Sequence, residues 1–294
     1  MGKTDPDLLD IRLILFPTDL SAASEAAFQH ARLCAERFEA RLTIFHAIEI
    51  PTAVYAREGA EHDEEIRARW AQEARTAIDR LVSNASIPCE VVVRTDVVAP
   101  ALFVDAALLE FIGQRRPDLV VMATHARTGL ARAFIGSVTE QIAHHGGRPV
   151  LCVRPGATSR LPYRRIVVPT DLSEASRRAF PWGTAVARTF GAGLTALHAP
   201  ARPTVATLSG LATPAPVPTA EDVRRFLGPE IDSQAEVLVT SPGRAWSAIV
   251  QAAEEREADL IVMSSGGHDS LGDDILGSTT DRVLRHAPCA VLVI

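Results

Sequence analysis

The chain carries its own pattern twice, and that limits what it can fold into more than any other feature. Ile14-Leu15-Phe16-Pro17-Thr18-Asp19-Leu20-Ser21 recurs as Ile166-Val167-Val168-Pro169-Thr170-Asp171-Leu172-Ser173, 152 positions later. The same offset aligns Phe28 with Phe180, Leu42-Thr43 with Leu194-Thr195, His46 with His198 and Pro51 with Pro203. Near the end of each copy the offset becomes 141: Asp118 meets Asp259, Val121-Met122 meets Val262-Met263, and Gly136-Ser137 meets Gly277-Ser278. The second copy has therefore lost residues in its middle. Each copy is long enough to be a domain rather than one unit of a solenoid. This predicts domains at 1–154 and 163–294, joined by the turn-rich linker 155–162.

Within a copy, short apolar runs alternate with helical periodicity. In the first, the runs are Leu13–Phe16, Leu42–Phe45, Glu90–Arg94, Leu119–Ala123 and Val150–Val153. Ser21 is placed to cap the first helix, where Phe28, Ala31, Ala35 and Phe38 recur at helical spacing. A long amphipathic helix carries Ile66, Trp70, Ala74, Ala77 and Leu81, with Glu61–Glu65 as its acidic start. Pro100–Ile112 and a segment from Ser137 give two more helices. Continuously apolar strands joined by helices indicate a parallel sheet covered on both faces. The expected fold is α/β: two tandem doubly wound domains, each a five-stranded parallel sheet with helices on both faces. In the second copy, Pro200 to Pro218 is proline-rich and reads as extended, ahead of a short helix from Thr219.

Charge excludes some functions. Thirty Lys and Arg against 36 Asp and Glu leave a net charge of -6, without the basic stripe of a nucleic-acid binder. No apolar run reaches the roughly 18 residues of a membrane helix, and the polar start Met1-Gly2-Lys3-Thr4-Asp5 is unlike a signal peptide. Cys34, Cys89, Cys152 and Cys289 stand far apart, without metal-site spacing. A reduced, cytoplasmic protein without a metal site is expected.

Ligands of open parallel sheets bind beyond the carboxyl ends of the strands, where the strand order reverses. Three segments of each copy should meet there. In the first copy they are Pro17-Thr18-Asp19, the strand end His46-Ala47, and the loop from Ala123 through Ala126 to Gly136-Ser137-Val138. In the second they are Pro169-Thr170-Asp171, His198-Ala199, and the loop from Ser264 through Gly267 to Gly277-Ser278-Thr279. A Gly-Ser opening a helix offers free N–H groups and a hydroxyl to an anion, phosphate above all. The same serines also read as capping boxes, Ser137 with Glu140 and Ser278 with Asp281. His46 and His198 read as hydrogen-bonded structural residues. Ser265-Gly266-Gly267-His268-Asp269-Ser270 matches a pyrophosphate loop in letters only, since such loops follow the first strand of a domain.

Pro-Thr-Asp-Leu-Ser after the first strand resembles the universal stress protein family. So do the glycine-rich loop after the fourth and the ending Arg285-His286-Ala287-Pro288-Cys289-Ala290-Val291-Leu292-Val293. The resemblance spans nearly the whole chain. It implies ATP-binding and non-binding classes. In the binding class the strand-one Asp (Asp19, Asp171) and the backbone after strand two (Ala47, Ala199) hold the adenosine end. The glycine-rich loop cradles the phosphates. It also implies pairing of domains through the fifth strand, here Val150–Val153 and Val291–Ile294, giving an internal pseudo-dimer and leaving a homodimer open. This chain departs from the loop pattern. Both leading glycines of the first copy are Ala123 and Ala126, and the first of the second copy is Ser264. The second copy is therefore expected to bind ATP or AMP, with or without Mg, and the first copy more weakly. No residue is assigned a catalytic role. Three readings follow: a nucleotide-responsive stress regulator acting on a protein partner, a nucleotide-free docking scaffold, or a slow ATPase.

Overall fold

A computed structural model describes residues 9–83, 85, 87–95, 104–124, 136–154, 160–200, 216–231, 234–266 and 276–294. Contacts divide it into two compact units, Asp10–Pro155 and a second containing Gly156–Ile294.

In the first unit β1 (Leu13–Pro17), β2 (Arg41–Ala47), β3 (Cys89–Arg94), β4 (Leu119–Ala123) and β5 (Val150–Val153) form a parallel sheet in the order β3-β2-β1-β4-β5. In the second, β6 (Arg165–Thr170), β7 (Gly193–His198), β8 (Glu236–Val239), β9 (Leu260–Met263) and β10 (Ala290–Val293) repeat it as β8-β7-β6-β9-β10. Each sheet is doubly wound, and β1 and β6 are its switch strands. β1 pairs with β2 along Leu13–Pro17, but with β4 only at Ile14 and Leu15. β6 likewise pairs with β9 only at Ile166 and Val167. The central strands are buried because helices cover both faces, as their unbroken apolar runs require.

The first helix, α1 (Ala22–Phe38), is capped by Ser21, whose hydroxyl accepts the Ser24 N–H at 3.3 Å. It ends at Glu39 in the left-handed conformation. The expected long amphipathic helix of the next crossover is α3 (Asp63–Val82), and it is preceded by a helix not read from periodicity, α2 (Thr52–Glu58), with a 3-10 turn at Ala60–His62 between them. The break falls at Gly59, whose φ of 90° no helix accepts. The acidic run is thus divided, with Asp63, Glu64 and Glu65 in the first turn of α3. Next come α4 (Val104–Arg115) and α5 (Ser137–His145); the expected helix start at Pro100 lies outside the described residues.

In the second unit Ser173 caps α6 (Glu174–Arg177), and α7 (Ala179–Phe190) follows after a break at Arg178. Pro181 explains the break, because it has no N–H for the Arg177 carbonyl four residues back. The extended reading of Pro200–Pro218 falls largely outside the described residues. The short helix after it is α8 (Ala220–Leu227), closed by a capping box between Thr219 and Asp222. α9 (Ala245–Glu255) and α10 (Ser278–His286) complete the unit.

The repeat also extends to two carboxylates that fix where the central strands begin. Asp118 Oδ2 accepts the backbone N–H groups of Arg12 and Leu13, each at 2.9 Å. Asp259 Oδ2 accepts those of Arg164 and Arg165 at 2.8 and 2.9 Å. The outer strands are guarded by ion pairs at matching places, Arg115 with Glu90 on β3 and Arg256 with Glu236 on β8. Such charges discourage edge-to-edge association.

Replacing Asp259 by Ala strips two backbone donors of a charged acceptor and is expected to cost about 2–3 kcal/mol by urea denaturation. A second expectation concerns His30, which is buried in α1 and whose pKa desolvation lowers from 6.5 to about 4. The native state thus resists the proton that the unfolded chain accepts. The neutral ring's contribution is complete above pH 6.5 and is lost as the pH falls towards 4. It amounts to about 3 kcal/mol. A His30→Leu variant should lack that part of the acid-side decline.

Candidate functional site

In both copies the strand-end residues singled out in the sequence lie at the carboxyl ends of the switch strand and its neighbour. In the first, β1 delivers Pro17, Thr18 and Asp19, and β2 ends at His46 and Ala47. The Thr18 N–H donates to the Phe45 carbonyl at 2.9 Å, and His46 Nδ1 donates to the Thr18 carbonyl at 2.8 Å. His198 repeats that bond to Thr170 at 2.9 Å. A carbonyl only accepts, so Nδ1 carries the proton in both rings. Both histidines are buried, and they act as struts between two strand ends, as expected of structural residues.

The proline has a specific effect here. Successive amides of a strand face opposite neighbours. Thr18 donates towards β2, so residue 17 faces β4, and a proline there has no hydrogen to give. The β1–β4 ladder stops at Leu15–Val120. The two strand ends part at that point, which opens the crevice. Pro169 stands at the same place in β6.

Past the proline, Asp19 Oδ1 accepts the N–H and hydroxyl of Ser21, at 3.0 and 2.6 Å, and the Ser24 hydroxyl at 2.5 Å. Asp171 Oδ1 accepts the Ser173 pair, at 3.0 and 2.5 Å. Ser176, the counterpart of Ser24, turns instead to the Thr170 hydroxyl and the Ser173 carbonyl, each at 2.9 Å. Asp19 is half-buried and Asp171 exposed. Between aspartate and serine, Leu20 and Leu172 hold φ of 60° and 63°. This left-handed conformation costs a leucine about 1–2 kcal/mol. Each leucine N–H donates to the preceding threonine hydroxyl at 3.0 Å.

On the other side of the crevice, the Gly136 N–H donates to the Thr124 carbonyl at 2.5 Å and the Gly277 N–H to Ser265 at 2.6 Å. The expected capping boxes are not formed. Gly136 and Gly277 are themselves the N-caps, extended at φ of -63° and -61°, so Ser137 and Ser278 are already the first helical residues. Neither helix has a side-chain cap, in contrast to α1, α6 and α8. Asp281 pairs with Arg285 instead, at 2.7 Å. The first-turn N–H groups of Ser278 and Thr279, like those of Ser137 and Val138, have no partner within their helix. Glycine at 277 serves close approach rather than backbone angle: a Cβ there would come within 3.3 Å of the Ser265 carbonyl oxygen. Ala123 and Ser264, which depart from the glycine pattern of the resembled loop, hold no positive φ, so their backbone angles do not require glycine. Ala126 and Gly267 lie outside the described residues.

Sequence reasoning passed over one pair. Thr139 Oγ1 donates to the Ala123 carbonyl at 2.8 Å, and Thr280 Oγ1 to Ser264 at 3.0 Å. These bonds seat α5 and α10 on the ends of β4 and β9. The signal was available, since the two threonines stand at the 141-residue offset.

The model of the universal stress protein family matches residues 11–154 and again 162–294. The chain belongs to the universal stress protein family. A universal stress protein of Mycolicibacterium smegmatis is 26% identical over 305 residues, covering 96% of each chain. One from Methanocaldococcus jannaschii is 30% identical over 143 residues, 48% of this chain and 81% of its own. Among solved structures, a universal stress protein from Archaeoglobus fulgidus overlays 97% of this chain and 98% of its own, with a TM-score of 0.69 and 21% identity. That likeness is one of fold. As a universal stress protein the chain has two tandem copies of the family domain, each with the crevice described above. Among the described residues no helix is long and apolar enough to cross a membrane. Burial also governs the sulfurs. The thiols of Cys152 and Cys289 are pushed up to about 12, and that of half-buried Cys89 is raised.

Replacing Thr280 by Val removes the buried donor that seats α10 and should cost about 1 kcal/mol in urea denaturation. Thr280→Ser, which keeps the hydroxyl, should recover most of that loss.

Proposed function

We propose that this universal stress protein binds an adenine nucleotide, ATP or AMP, in its second copy and serves as a nucleotide-responsive regulator. One observation carries the choice of copy: Asp171 is exposed, whereas Asp19 is half-buried and engaged by two serines. In this reading Asp171 and the backbone at Ala199 hold the adenosine, with Pro169 and Thr170 shaping the strand exit. Gly277, Ser278 and Thr279 present N–H groups and a hydroxyl to the phosphates, at the positive end of a helix dipole. Ser264 and Gly267 would border them. Family resemblance supports the ligand class, and the crevice at the switch point supports its place.

The site's own residues favour holding over turnover. Pro169–Ser173, Ala199 and Gly277–Thr279 provide one carboxylate and no lysine, too little to assemble a phosphoryl-transfer centre. A magnesium ion would enter with the triphosphate rather than on a carboxylate pair of the protein. Regulation then means that the bound and free chains offer a protein partner different surfaces, and the ligand biases the populations.

Calorimetric titration of the purified chain with ATP, AMP and ADP, preceded by mass spectrometry for carried-over nucleotide, tests this reading. Binding is expected, and Asp171→Ala should weaken it at least about tenfold, or 1.4 kcal/mol. Neither heat nor copurified nucleotide would leave the docking scaffold in possession of the fold.

A further inference from the structure

We infer that the second copy carries a docking surface for an acidic segment of a protein partner, built by Trp246, Arg282 and His286 where α9 packs on α10. The surface uses none of the residues assigned to the nucleotide and does not depend on a ligand in the crevice.

Trp246 stands in the first turn of α9, and Arg282 and His286 are one turn apart on α10. The His286 ring lies 5.0 Å from the indole, centroid to centroid, and the Arg282 guanidinium 6.0 Å from the indole centre. His286 is fixed by its own helix, since its Nδ1 donates to the Arg282 carbonyl at 2.8 Å. One half-buried indole is thus flanked by two exposed basic side chains. The indole also keeps an unused donor: its Nε1 is buried and has no acceptor among the described residues. Leaving a buried N–H unbonded costs stability, and a phenylalanine would offer a ring without that cost.

The positive charge there is uncompensated. Among the described residues Arg282 makes no ion pair. Neither does Arg244, exposed at the N-cap of α9 two residues before the tryptophan. Arg285 differs, because Asp281 holds it at 2.7 Å, which neutralises the one carboxylate of α10. The carboxylates of α9, Glu254 and Glu255, stand at its opposite end. Tryptophan and arginine are the side chains that most often carry binding energy between proteins. The free arginines suit carboxylates, and the indole suits an apolar or aromatic side chain set among them. A nucleic acid fits less well, because a phosphate backbone calls for a row of cations and this chain carries a net charge of -6. The first copy lacks the arrangement. At the 141-residue offset Trp246 and Arg282 become Asp105 and Gln141, and only His286 keeps its type, as His145.

Fluorescence anisotropy on the full chain, without nucleotide, tests this surface. The probe is a short fluorescein-labelled peptide of glutamates around one phenylalanine. The chain should bind it, and should bind the same peptide with lysines in place of the glutamates at least about tenfold more weakly. Arg282→Gln and Arg244→Ala should each weaken the acidic peptide about fivefold. Trp246→Asp combined with Arg282→Gln, which installs the first copy's residues, should weaken it at least about tenfold with the melting transition retained. If that double variant does not fold, the two exposed single substitutions decide. No binding, equal binding of the acidic and basic peptides, or an affinity that both single substitutions leave unchanged overturns the inference. Tighter binding of a single-stranded oligonucleotide than of the acidic peptide overturns the protein partner as occupant.

Discussion

A hydrogen that proline does not have organises each half of this protein. A central strand in a parallel sheet is normally bonded on both sides for its whole length, and its exit is sealed by its neighbours. Pro17 and Pro169 withdraw one donor from the side facing β4 and β9, so those ladders stop after two paired residues. On the other side the pairing runs on to Pro17 and Thr170, where a buried histidine braces the strand ends. The crevice is the gap between a strand pair that continues and one that ends. The aspartate, the left-handed leucine and the capping serine all follow from where the chain must turn once it has left that gap. The paired carboxylates at the opposite ends, Asp118 and Asp259, hold the strands in the register that puts the prolines there.

Much of this was legible from residue types alone. The 152-residue repeat pointed to a duplicated fold, and the unbroken apolar runs to buried parallel strands; Leu119–Ala123 and Val150–Val153 match to the residue. Bonds that depend on which way a hydroxyl turns were not legible. Ser-x-x-Glu at 137–140 satisfies the letters of a capping box, but the glycine before it takes the extended backbone, and the serine moves one place into the helix. The helix α2 ahead of Gly59 was not legible either, because seven residues are too few for helical spacing to stand out. Pro181 broke the helix after Ser173 for an equally local reason.

The two copies share almost every backbone device and differ in side-chain allegiance. Ser24 turns towards Asp19, while its counterpart Ser176 turns towards the main chain and Thr170. Asp19 is half-buried with two serine partners, and Asp171 is exposed. The crossover after the second strand adds to the difference, with α2 and α3 in the first copy against the described helix α8 in the second. The strand order is the same in both copies, and these differences lie in side chains and crossovers.

The cysteines bear on what kind of message such a chain can receive. Oxidants and electrophiles react with the thiolate rather than the thiol. At Cys152 and Cys289 burial holds the proton to a pH no cell reaches, and Cys89 is shifted the same way. Peroxide would find almost no anion at Cys152 or Cys289, and both act as small apolar packing units in their strand ends.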